Sequence, residues 1–188
     1  MSLKSKIIGA LAGATMLGGG ITAVVQHNEG YSGPAYQDSA GVWTICYGET
    51  KGVYKGLYYT REQCNAQLVQ SITEHSQALS GLPESLPDVV ILGSLDMAYN
   101  IGVYGFKNST VKQFLMKKEY AAAERAVLAW RYITIKGKKY DCSQYVNKQP
   151  NKVCWGLWER RQWQAKAIGN RYDSVESAVN ALMKGQGI

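Results

Sequence analysis

Histidine and phenylalanine are scarce in this chain, two of each among 188 residues, and no two cysteines stand in CxxC spacing. His27 and His75 lie too far apart to suggest a zinc or iron ligand set, so neither a metal site nor a thioredoxin motif is expected. Acidic residues are also few, 14 against 21 Lys+Arg, a net charge of +7. That balance excludes an acidic, self-repelling chain and suits a polyanionic partner: nucleic acid, anionic lipid or an acidic cell wall. Internal repeats and low-complexity linkers are absent outside the N-terminal run, which leaves one ordinary domain with a short appendage. With 46% hydrophobic residues, the chain can bury enough apolar surface to offset its ordering entropy.

What is present begins at the N-terminus. After Lys4 and Lys6, residues Ile7 to Val25 form a 19-residue stretch without a charge. As one helix it would span about 28 Å, close to the hydrocarbon thickness of a bilayer. Lysines on its N-terminal side predict a cytoplasmic N-terminus and a translocated remainder. Gly9, Gly13, Gly18, Gly19 and Gly20 make it a weak anchor. A signal peptide cleaved after the Ala12-x-Ala14 motif would have too short an apolar core. A buried core helix is the plainer alternative, and Gly9-x-x-x-Gly13 also fits helix association in a membrane. An uncleaved, weakly held anchor is the reading preferred. Export would favour two disulfides over four buried thiols among Cys46, Cys64, Cys142 and Cys154. Three connectivities exist, and proximity favours Cys46 with Cys64 and Cys142 with Cys154.

Beyond the anchor, Gly30 to Tyr59 is rich in Gly and Tyr, with a β-branched and aromatic run at Val42 to Tyr47, and reads as a short hairpin region. Thr60-Arg61-Glu62-Gln63 has the form of a capping box that opens a helix to about Leu79. Further helices are expected from Asp88 to Gly102, Ser109 to Lys117, Glu119 to Trp130, Gly156 to Ile168 and Ser174 to Lys184. Ile133 to Lys152 is a basic, Tyr-containing hairpin or irregular excursion.

The chemistry lies where the anchor meets the hairpin. Glu29, Asp38 and Thr44 follow one another with eight and then five residues between them. A Glu that ends a helix can face an Asp and a Thr on a following hairpin across a cleft, as two-carboxylate glycoside chemistry requires. Bare spacing is equally that of a solvated surface. The segment Glu29-Gly30, Asp38, Gly41-Val42-Trp43-Thr44, Gly48 resembles the phage lysozyme (endolysin) family. The resemblance continues through Ala98-Tyr99-Asn100-Ile101-Gly102, Phe106-Lys107-Asn108-Ser109-Thr110, Trp130 and Gly156-Leu157-Trp158-Glu159-Arg160-Arg161. It covers roughly residues 26 to 168, and the link between Trp130 and Gly156 is expanded. The Gly-rich N-terminal run is similar to that of the signal-anchor-release subgroup.

The resemblance implies an α+β, lysozyme-like fold, with a small β-hairpin lobe, a larger helical lobe, a cleft between them and an N-terminal hydrophobic helix. Residues 1–26 would be the signal-anchor-release segment and 27–188 the catalytic domain, its β lobe about 30–59 and its helical lobe about 60–188. The substrate implied is peptidoglycan, cut by inversion at the β-1,4 bond after N-acetylmuramic acid, with no cofactor. Glu29 would be the general acid, Asp38 the second carboxylate and Thr44 the residue that positions water. Asn100 and Gly102 would line the cleft, or simply end a helix. Arg160 or Arg161 would pair with Glu29, opposing its work as an acid, or lie on a solvated helix face. A monomer is expected, tethered to the host inner membrane by Ile7 to Val25 and then released to the periplasm. A membrane-anchored wall-binding protein without catalysis would keep the fold and lose the acid, and two other readings remain. One is a nucleic-acid module built on Lys136, Lys138, Lys139, Lys148 and Lys152 with Tyr140 and Tyr145; a solvated loop that favours an anionic envelope accounts for the same residues, so no nucleic acid is expected. The other is a lytic transglycosylase, which needs the Glu but no water.

Overall fold

The computed structural model describes residues 3–13, 15–38 and 41–185. Ala14 of the Ala-x-Ala motif and the Ser39-Ala40 pair after Asp38 lie outside the described residues. The N-terminal run is two helices, α1 (Leu3–Ala12) and α2 (Met16–Glu29), which meet at 83°. This corrects the expectation of one continuous helix over Ile7 to Val25. The break has a local cause, because the Thr15 hydroxyl accepts from the Gly18 N–H at 3.2 Å and starts α2 afresh. Leu3, Ile7 and Ala10 of α1, and Leu17, Ile21, Val24 and Val25 of α2, are buried in the main core. In this arrangement the run is therefore core. The second helix passes through residue 26 without a break, so the second half of the hydrophobic run, residues 16–25, and Glu29 share one helix.

A small lobe follows. Strands β1 (Ser32–Gln37) and β2 (Trp43–Cys46) pair antiparallel, with Tyr36 opposite Thr44 and Gln37 opposite Trp43. Helix α3 (Arg61–His75) opens on Thr60, whose hydroxyl accepts from the Gln63 N–H while the Gln63 side chain accepts from the Thr60 N–H. The capping box expected there is thus formed. A 3-10 turn (Ser76–Leu79) extends it. A disulfide joins Cys46 to Cys64, fastening the end of β2 to the first turn of α3.

Helix α4 (Asp88–Lys107) is the axis of the larger lobe, with every residue from Val89 to Ala98 buried. It packs against α2, α3, the 3-10 turn, α7 (Trp155–Ile168) and α8 (Val175–Met183). It continues five residues past the expected end at Gly102, where the backbone is non-helical (φ 80°, ψ 158°) and kinks the helix. Helices α5 (Thr110–Met116) and α6 (Tyr120–Leu128) close one side. The fully buried Trp163 donates to the Ala178 carbonyl at 2.8 Å, tying α7 to α8.

The expanded link is two small hairpins: β3 (Tyr132–Ile135) with β4 (Lys138–Asp141), and β5 (Tyr145–Val146) with β6 (Gln149–Pro150). A disulfide joins Cys142 to Cys154 and closes the loop that holds the second hairpin. Both bridges therefore join the sequence-near pairs. Asn151 is buried and fills the turn, donating to the Cys142 and Gln144 carbonyls and accepting from the Cys154 N–H.

Candidate active site

Glu29 is the last residue of α2. Gly30 follows with φ 72°, a left-handed conformation that suits glycine, and its N–H caps Gln26. That turn sends the chain directly into β1. The neighbours of Glu29 fix the helix end from three sides. Gln26 donates to the Tyr47 hydroxyl at 3.1 Å and to Asn65 Oδ1 at 2.9 Å, binding α2 to the β lobe and α3. Asn28 donates to Asp96 Oδ1 at 3.0 Å, binding it to α4. Arg160 of α7 brings one terminal nitrogen to 2.8 Å from Glu29 Oε1, a charge contact off the line of a hydrogen bond. Of the two arginines anticipated as partners, Arg160 makes the pair.

The hairpin supplies the other two residues. Asp38 follows β1, and its Oδ1 accepts from the Val42 N–H at 2.9 Å, which holds the carboxylate at the turn. Thr44 lies on β2, 4% exposed, and its hydroxyl donates to the Val42 carbonyl at 3.0 Å. With its proton so engaged, that hydroxyl can only accept from a water. Gly48 completes the approach between the lobe and the helix end. A β-carbon placed there would sit 3.8 Å from Glu29 Oε2.

Behind Glu29 runs a polar network that sequence reasoning missed. Asp96, whose side chain is 1% exposed, receives two hydrogen bonds from Arg160, Nε to Oδ2 at 3.1 Å and the terminal nitrogen to Oδ1 at 2.8 Å. Gln164 donates to Asp96 Oδ2 at 2.6 Å. Burial alone would push Arg160 down, but the Asp96 carboxylate, with Glu29 behind it, holds it above its ordinary value. Arg161 has only neutral hydrogen-bond acceptors: Trp130 O, Gln164 Oε1 and Asn100 Oδ1. Burial, and next the Arg160 charge, push it down to about 10. The sequence hints only at its centre, since a lone acid inside the apolar run Val89 to Ala98 demands a buried partner without naming it.

Asn100 and Gly102 stand at the end of the same helix. Asn100 is exposed and its oxygen is held by Arg161 at 2.6 Å, which fixes the amide. Gly102 is the kink. Among the described residues no group of His, Cys, Asp and Glu has the arrangement of a metal site.

The geometry agrees with what comparison finds. The Phage lysozyme family model matches residues 26–164. A SAR-endolysin of Enterobacteria phage P21 is 25% identical over 76% of this chain and 93% of its own length. One from Escherichia phage N15 is 29% identical over 86% and 93%. The solved endolysin of Escherichia coli O157:H7 phage FAHEc1 superposes with a TM-score of 0.67 at 26% identity, covering 81% of this chain and 92% of that one. With the family model spanning the helix end, the hairpin and the Arg160 helix together, the chain belongs to the phage lysozyme family.

Proposed function

We propose that Glu29 protonates the glycosidic oxygen of peptidoglycan while Asp38 and Thr44 deliver water to the opposite face of the sugar. The chain is an endolysin, a muramidase that hydrolyses the β-1,4 bond between N-acetylmuramic acid and N-acetylglucosamine. The observation that carries the assignment is the fixing of Glu29: the end of α2 is held by α3, α4, α7 and the β lobe at once. A rigidly held acid is what proton transfer in the transition state demands. Asp38, half-buried just after β1, is suited to act as the partner that takes the proton of a water held at Thr44. Inversion follows if that water attacks from the face opposite Glu29. Asn100 and Gly102 border the saccharide, Asn100 through its amide. No cofactor enters, nucleic acid is not a ligand, and the enzyme works as a monomer.

The membrane-tethered form is the inactive one. With Ile7 to Val25 crossing the inner membrane, N-terminus in the cytoplasm, the contacts of Gln26, Asn28 and Glu29 with the two lobes compete with insertion of the helix that carries them. Residues 1–26 are thus the releasable anchor and 27–188 the catalytic domain, active in the periplasm once α1 and α2 have joined the core. The two arrangements are alternative states of one segment. The test is clearing of permeabilised Gram-negative cells by released wild type and by Glu29→Gln, which keeps the size and removes the acid. Wild type clears and the variant does not; equal clearing sinks the assignment.

A further inference from the structure

The ion pair poses a difficulty, because a guanidinium in contact with a general acid favours the charged carboxylate that cannot donate. We infer that Asp96 is a positioning residue for Glu29: it clamps Arg160 at two points and engages its charge, leaving Glu29 able to carry a proton to the substrate. The inference rests on the assignment of Glu29 as the acid.

Four donor hydrogen bonds from two elements converge on Asp96. They come from Arg160 Nε and its terminal nitrogen, Gln164 Nε2 and Asn28 Nδ2, at 2.6–3.1 Å. Among the described residues Glu29 has one ion-pair contact, from the same Arg160 nitrogen that already donates to Asp96, and its Oε1 has no hydrogen bond. A forked two-bond pair on a buried carboxylate is the stronger interaction, and it sets the plane of the guanidinium. The Glu29 side chain is 22% exposed against 1% for Asp96, so the two carboxylates share one cation unequally.

The other charged and titratable groups around this pair do not replace Asp96. Arg161 on α7 adds a second cation with only neutral hydrogen-bond acceptors. Tyr99 on α4 is pushed up by burial, with the Glu29 and Glu49 charges adding to it despite a lowering hydrogen bond from Ser71, so it stays neutral. His27 on α2 and Glu159 on α7 border a cavity beside Arg160, and Asp38 is held at the hairpin turn. Without Asp96, Glu29 would be the one carboxylate in contact with Arg160 among the described residues.

The test is the pH profile of peptidoglycan hydrolysis by Asp96→Asn, a substitution that keeps the shape and removes the charge. Activity on the alkaline side depends on Glu29 holding its proton. The limb should move down by about one pH unit or more, a loss of about tenfold in rate on the wild-type limb. A folded Asp96→Asn with an unmoved alkaline limb overturns the inference and leaves Glu29 as acid untouched. The double variant Asp96→Asn/Arg160→Gln removes the guanidinium together with the carboxylate that clamps it and serves where the single variant does not fold. Its limb should coincide with that of Arg160→Gln, because the carboxylate acts through the guanidinium. A limb still displaced by about one unit refutes the relay. Failure of the acid assignment itself is read separately, from an active Glu29→Gln.

Discussion

Replacing Gly18 by alanine adds one methyl group to the N-terminal run, and the structure says where it goes. A β-carbon at Gly18 would overlap the Ala10 carbonyl oxygen and lie 2.6 Å from its carbon and 2.9 Å from the Leu11 nitrogen. All three are backbone atoms of α1, so the two helices must separate. Overpacking of this kind costs about 1–3 kcal/mol. The same substitution at Gly19 meets nothing within 4 Å. It gains helix propensity of about 1 kcal/mol. In the bilayer the two variants are equivalent, each with one extra methyl on the same apolar span. Comparing them therefore separates the packed state from the inserted one, which leucine at Gly18, Gly19 and Gly20 together would not, since it changes both. The expected result is that Gly18→Ala stays in the membrane fraction and, when extracted, melts several degrees below Gly19→Ala. A protein of this size loses about 2–4 °C per kcal/mol. Equal melting temperatures and equal release would refute the close packing of α1 on α2 as the force that draws the segment out of the bilayer.

Three further outcomes follow from the same structure. Removing the Cys46–Cys64 bridge with serines opens an 18-residue separation and should cost about 3 kcal/mol at most, read in urea unfolding. Because Cys46 lies two residues from Thr44, activity should fall more than in the Cys142→Ser/Cys154→Ser variant. Gly48→Ala places a side chain at φ 91° and a methyl against Glu29. It should lose about 1–2 kcal/mol of stability to strain and reduce hydrolysis with little change in substrate affinity. In the basic hairpins, burial pushes the Asp141 carboxyl up, but the Ser143 hydroxyl and N–H, and then Arg131, outweigh it and leave it below its ordinary 3.8. Its contribution is therefore complete above pH 3.8 and fades as pH falls through the lower folded value. Hydrogen exchange at the Ser143 amide should quicken over that acid range in wild type and lack the transition in Asp141→Asn.

Much of this fold is local and was legible for that reason. The Thr60–Gln63 cap, the Ser109 and Ser174 helix starts and the two disulfides between near neighbours each depend on residues within a few turns of one another. Glu29, Asp38 and Thr44 were singled out by the family resemblance of their segment, not by bare spacing, and the structure puts them on one helix end and one hairpin. The Asp96 network was not, because it joins positions 61 to 68 residues apart, and no local pattern says which arginine meets which acid. The expectation of one continuous helix at the N-terminus failed for a different reason. An apolar run long enough to span a bilayer is also apolar enough to be core, and the choice at Thr15 belongs to the packed state alone.

The products of cleavage report most directly on the roles of Glu29, Asp38 and Thr44. Purified peptidoglycan digested by the released enzyme should yield muropeptides with free reducing N-acetylmuramic ends, appearing first as the inverted α-anomer by proton NMR, and Glu29→Gln should yield none. Retained β-anomer, 1,6-anhydro ends, or undiminished cleavage by Glu29→Gln would contradict a water delivered by Asp38 and Thr44 opposite a Glu29 acid.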